Sequence, residues 1–149
     1  MPVDLVWRLM LAAGLGAVVG LEREYRRKPA GLRTNILIAI GSCLFTILSS
    51  EMGSHSGTAD RISAQIVTGI GFLGGGAILR NRDTVHGMTT AATIWVNAAI
   101  GVAAGTGQYL LATVTTALTI VVLAVLAPIE IYFERRAGWP DRHIPPPKD

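Results

Sequence analysis

A chain of 149 residues in which 50% are hydrophobic and only 15% charged, with a mean hydropathy of +0.46, is too apolar to clothe a water-soluble domain. Its net charge of +3 and pI near 9.5 are accounted for by lysines and arginines set around a membrane, and with no soluble basic domain to carry it, nucleic-acid binding is excluded. The single cysteine, Cys43, excludes an intramolecular disulfide and, inside an apolar run, is expected to pack as a small hydrophobe.

Five apolar segments follow in order: Leu5 to Leu21, Asn35 to Ser50, Ile62 to Leu79, Met88 to Ala104 and Tyr109 to Phe133. They match the ~17 to 25 residues that a helix needs to cross a hydrocarbon layer of ~30 Å, the fourth at the short limit and the second one residue below it. The expected fold is therefore all-α, a polytopic membrane helix bundle of about five transmembrane helices over residues 1–134, followed by a disordered cytoplasmic tail over 135–149 that ends in Pro145-Pro146-Pro147. No basic region precedes the first segment, which carries Asp4 and Arg8, so it reads as a retained helix and not a cleaved signal. Asp4 and Arg8, four apart, make a helix-surface pair at the outer interface, the arginine snorkelling.

The loop Glu22 to Thr34 holds Arg23, Arg26, Arg27, Lys28 and Arg33; the third loop holds Arg80 and Arg82; the tail holds Arg135, Arg136, Arg142 and Lys148. The two loops on the other side hold one basic residue, Arg61. The positive-inside rule then places the N-terminus outside and the C-terminus in the cytoplasm.

Glu22, Arg23 and Glu24 stand where the first helix leaves the membrane. Two carboxylates there could bind a hard cation through oxygen and retained water, as magnesium prefers, with Glu22 the candidate metal ligand; the surrounding basic residues favour a solvated salt-bridge cluster for Glu24 and leave both readings open for Glu22, closer to the membrane. Thr34 or Asn35 is expected to cap the second helix, and Thr89 and Thr90 the fourth. Asp60 reads as the N-cap of the third helix. Asn97, mid-helix among Trp95, Val96, Ala98 and Ala99, needs an interhelical partner or a substrate, and Gln65 on the third helix is the candidate.

The third segment also contains Gly69-Ile70-Gly71-Phe72-Leu73-Gly74, a match to the dinucleotide fingerprint that fails for want of a strand before it and a helix opening at it. Small residues at four-residue spacing, Ala12-Gly16-Gly20, Gly71-Gly75 and Gly101-Gly105, mark close helix contacts, within the subunit in the simpler reading and between subunits in the other. Sliding the chain by 56 positions lays Gly20 on Gly76, Arg26 on Arg82, Gly31 on Gly87 and Thr34 on Thr90, as a parallel repeat of a helix pair would and as chance among glycine-rich helices also can. His55, His86 and His143 lack zinc-ligand spacing and no serine has a nucleophile context, so an enzyme is not expected.

Taken together, Gly20-Leu21-Glu22-Arg23-Glu24, Lys28-Pro29-Ala30-Gly31-Leu32-Arg33-Thr34, Asp60-Arg61-Ile62, Ala64-Gln65-Ile66-Val67, Gly69 to Gly74, Thr89 to Trp95 and Gly105-Thr106-Gly107-Gln108-Tyr109 resemble the membrane domain of the MgtC/SapB family over roughly Leu5 to Leu126. The resemblance implies a multi-pass bacterial inner-membrane protein linked to magnesium limitation, to survival of pathogens inside host cells and, in some members, to restraint of ATP synthase. Longer members carry a soluble C-terminal regulatory domain, which this sequence is expected to lack. Two function classes stay open. One is a transporter of magnesium or another small ion or solute, with Glu22, Asp60, Gln65 and Asn97 on its path and Arg23, Glu24, Arg33, Thr34, Thr89 and Thr90 as its cytoplasmic motif. The other is a regulatory protein that binds membrane partners, or a second copy of itself, through its glycine faces. No cofactor is expected, magnesium entering as ligand or substrate.

Overall fold

The computed structural model describes residues 2–53, 59–80 and 85–136. Its helices are α1 Pro2–Tyr25, α2 Leu32–Gly53, α3 Ala59–Gly76, α4 Met88–Gly105 and α5 Tyr109–Val121, which runs through a π-helical turn Val122–Leu126 into α6 Ala127–Arg136. The sequence reading ends α1 four residues short and does not foresee two features: a small antiparallel pairing, β1 Leu79–Arg80 with β2 Val85–His86, and the π turn. The helix also continues to Arg136, two residues into the expected tail, and 137–149 lie outside the described residues.

Burial runs opposite to that of a soluble protein. Asn35, Ser42, Thr46 and Ser49 of α2, Thr90, Thr93 and Asn97 of α4, and Thr116 of α5 are buried, while Trp7, Met10, Phe45, Phe72, Leu110 and many other large apolar side chains face outward. Water would reject that arrangement, whereas acyl chains accept the apolar exterior and force polar groups inward. Four stretches, Val3–Tyr25, Leu32–Met52, Met88–Gly105 and Tyr109–Ile129, are long and apolar enough to cross a membrane. The fifth expected span, α3, has 18 residues but is not among them. The protein is a multi-pass membrane helix bundle.

At its centre α2 is clasped by glycines from two sides. A methyl group added at Gly16 would lie 2.8 Å from both Ala39 Cβ and the Asn35 carbonyl oxygen, and one at Gly20 would lie 2.7 Å from Leu32 Cα. From the other side, Gly101 would meet Ser42 Cβ at 2.9 Å and Gly105 would meet the Cys43 carbonyl at 2.8 Å. With no hydrophobic drive between helices in lipid, this backbone-close contact is what holds them. Ala12, Val19, Ala39, Cys43, Ile100 and Ala104 fill the core between α1, α2 and α4. α3 packs at the periphery, where Ile70 meets Ile38, Ile94 and Ala98.

Gly71 and Gly75 do not share this role in the subunit: a Cβ at either would meet nothing within 4 Å, and the contact of α3 with α4 falls at Gly74, near Ala91. The expectation of an intrasubunit contact at Gly71 and Gly75 is corrected accordingly, because the Gly74 face turns inward and theirs turns out.

Helix ends are set locally. α4 starts after Gly87 at φ +89, a left-handed conformation, with the Ala77 carbonyl packed where a side chain would stand. It ends in a Schellman turn: Gly107 at φ +78 donates to the Ala104 carbonyl and Gln108 to that of Ala103. α2 and α4 start 56 positions apart, each directly after a glycine. At the end of the bundle near Gly107, Arg8 pairs with Asp4 at 2.7 Å and donates to the Gly105 carbonyl at 2.7 Å, while Tyr109 Oη donates to Asp4. The expected surface pair is thus also a tie between α1, the last turn of α4 and the first of α5.

Candidate functional site

At the opposite, basic end the last turn of α1 meets the first turns of α2 and α4. α1 closes in a second Schellman turn, with Arg27 donating to the Glu24 carbonyl and Lys28 to that of Arg23. Arg27 takes φ 53 there, where glycine is usual. The chain turns through Pro29, Ala30 and Gly31, and the Glu24 carboxylate packs where a Gly31 side chain would stand. Glu24 Oε2 accepts the Leu32 N–H at 3.2 Å, so an acid from α1 caps α2. The expected caps are displaced as a result. Thr34 and Asn35 lie inside the first turn of α2, and the Asn35 side-chain amide donates back to the Ala30 and Gly31 carbonyls, pinning the loop.

The same holds at α4. Gly87 precedes the helix, so Thr89 and Thr90 are in its first turn, not at its cap. Thr90 is buried and accepts a hydrogen bond from Arg23 Nη2 at 2.7 Å. Arg23 is 3% exposed, a cation drawn into the seam between α1 and α4. Thr89 is exposed, its carbonyl accepting from the Thr93 hydroxyl at 2.7 Å.

Glu22 Oε1 lies 2.6 Å from Arg26 Nε, an ion pair by distance that is not aligned as a hydrogen bond, and Oε2 is buried without a hydrogen-bond partner. Arg26 also donates from Nη2 to the Ala124 carbonyl at 3.1 Å. Proline explains that bond. Pro128 has no N–H to give the carbonyl four residues back, which is Ala124, and its ring opens the helix into the π turn. The guanidinium supplies the missing donor. Sequence reasoning missed Arg26 as a positioning residue, although a proline inside an apolar run is itself a signal of an orphaned carbonyl.

Asn97 is fully buried, and its amide donates to the Asn35 carbonyl at 2.6 Å, so its partner is α2 and not Gln65. Gln65 is exposed and lines a groove between α2 and α3. Asp60 lies in the first turn of α3, with its side chain outside the described residues. Arg33 and Thr34 are exposed. The path candidates are therefore held in different contacts: Glu22 pairs with Arg26, Asn97 bonds the α2 backbone and Gln65 lines the groove between α2 and α3. The basic end instead joins Glu22, Arg23, Arg26, Asn35, Thr90 and Asn97, and among the described residues every buried side-chain polar atom without a hydrogen bond belongs to Glu22, Arg23, Asn35 or Asn97. Among the described residues no three histidine, cysteine, aspartate or glutamate side chains gather as a metal site would need. With two arginines to one carboxylate, the cluster repels a bare divalent cation.

The sequence profile described as the MgtC family matches residues 9–132. The chain belongs to the MgtC family. Among MgtC-family relatives, Protein MgtC of Brucella abortus (strain 2308) is 45% identical over 123 residues, covering 83% of this chain and 51% of that protein. YhiD of Escherichia coli (strain K12), named as a candidate magnesium transporter, is 44% identical over 132 residues, covering 84% of this chain and 61% of its own length. The uncharacterized protein slr0014 of Synechocystis is 43% identical over 129 residues, covering 87% and 55%. The chain thus spans about half to three-fifths of the length of these MgtC-type relatives. No solved structure matches it.

Proposed function

We propose that this chain serves magnesium homeostasis in a bacterial inner membrane, with its basic end in the cytoplasm, and acts through contacts with membrane partners rather than by conducting the ion. The observation that carries this reading is the engagement of the path candidates. Glu22 is held by Arg26 beside a buried Arg23, and the Asn97 amide N–H is committed to the α2 backbone, so a cation moving along α1 and α4 meets fixed positive charge. The magnesium in the name of the E. coli relative supports the physiological setting, and the basic residues around the α1–α2 loop support the orientation.

Transport is the second reading, favoured by the buried oxygens that lack a hydrogen bond: Glu22 Oε1 and Oε2, Asn35 Oδ1 and Asn97 Oδ1. Purified protein in liposomes loaded with a magnesium-sensitive dye separates the two. The expected result is no influx above protein-free vesicles. Influx that Glu22→Gln abolishes and Glu24→Gln leaves in place would overturn the proposal in favour of transport.

A further inference from the structure

Between α2 and α3 lies a groove of about 590 Å3, walled by Leu37, Ile38, Phe45, Ile66, Ile70 and Leu73. Two glycines, Gly41 and Gly69, also line it, and a Cβ built on either meets nothing within 4 Å. The hollow thus exists because side chains are missing from both walls. On α2 it runs from Thr34, in the first turn at the basic end, to Phe45, a helical rise of about 16 Å. That is about half the ~30 Å hydrocarbon thickness, the depth of one leaflet. A transmembrane helix, ~10 Å across and needing the full thickness, would find a seat only half its length.

Among the described residues the exposed charge at the rim that is not already engaged is basic. Arg33 is exposed beside Thr34, and exposed Lys28 and Arg80 lie at the same end. The nearby exposed acid, Glu24, is taken up by the N-terminus of α2. We propose that this groove is a binding site for an anionic phospholipid, one acyl chain lying along Gly41 and Gly69 and the headgroup phosphate meeting Arg33 and the Thr34 hydroxyl at the rim. Guanidinium and hydroxyl donors suit phosphate oxygens, and a net negative headgroup is attracted by basic residues near the membrane surface.

The full chain, purified in detergent, is titrated with phosphatidylglycerol and phosphatidylcholine of identical acyl chains, and adducts are counted by native mass spectrometry. Wild type should retain one phosphatidylglycerol with about fivefold preference, the ratio expected of one arginine near the headgroup. Gly41→Leu with Gly69→Leu fills open space, so it should melt like wild type yet lose the adduct. Arg33→Gln, on an exposed position, should keep a lipid adduct but lose the headgroup preference. Equal retention of the two lipids by wild type, or an unchanged phosphatidylglycerol adduct in the filled variant, would overturn the site. A wild-type dimer that the glycine substitutions dissociate would also overturn it, by assigning the groove to a second copy of the chain.

Discussion

Arg26 satisfies a carbonyl that Pro128 leaves without a donor and also neutralises Glu22, so its removal costs twice. An unsatisfied, partly buried carbonyl costs about 1–3 kcal/mol, and Arg26→Ala should lower the melting temperature in detergent accordingly. Pro128→Ala restores the N–H that Ala124 needs, so Arg26→Ala should be much milder in that background. Additive losses in the double variant would refute the link between the two residues. Arg27, at φ 53 in a turn position that glycine occupies without strain, predicts the opposite sign. Arg27→Gly should raise the melting point, relieving about 1 kcal/mol of left-handed strain, and a lower melting point would mean that the side chain matters more than the backbone.

Among the helices, the glycines divide into those that touch and those that do not. Gly101→Leu and Gly105→Leu drive a side chain into the α2 backbone and should cost at least the ~1–3 kcal/mol of an overpacked core, to the point of lost expression. Gly71→Leu and Gly75→Leu meet open space and should melt within a degree or two of wild type in detergent. Equal damage from both pairs would mean that the outer face of α3 is an interface between copies. The sequence shows both pairs as the same four-residue spacing, and nothing in that spacing records which face of a helix turns inward. For the same reason the apolar length of α1, α2, α4 and α5 was legible, while the donor that meets the carbonyl freed by Pro128 was not: Arg26 reaches it from 98 positions away. Asn97 was readable as a buried amide in need of a partner, but its partner is a backbone carbonyl, which has no sequence signature.

Across the whole molecule, the apolar exterior and polar seam make the bundle a membrane protein, and the basic residues are the ground for its proposed direction. With Cys43 replaced, a cysteine at Gln108 should react with an impermeant thiol reagent from outside intact cells, and one at His86 only after the inner face is opened. The reverse pattern would invert the proposed orientation. Labelling of both from one side would remove α4 from the list of spans. The site was legible in the sequence as a motif, Glu22-Arg23-Glu24, but not as a division of labour: one acid pairs with Arg26, the next caps α2, and the arginine between them is buried against Thr90.

The clasp around α2 also fixes an order of events during synthesis. Gly16 and Gly20 leave the ribosome before α2, but Gly101 and Gly105 follow it by some fifty positions, so half of the seat for α2 is absent when that helix enters the lipid. The first hairpin must wait in the membrane, with Ser42 and Thr46 unshielded, until α4 is delivered. Two fragments, 1–57 and 58–149, made as separate polypeptides in one cell should therefore find each other and restore a stable bundle, whereas 1–57 made alone should be cleared by membrane proteases.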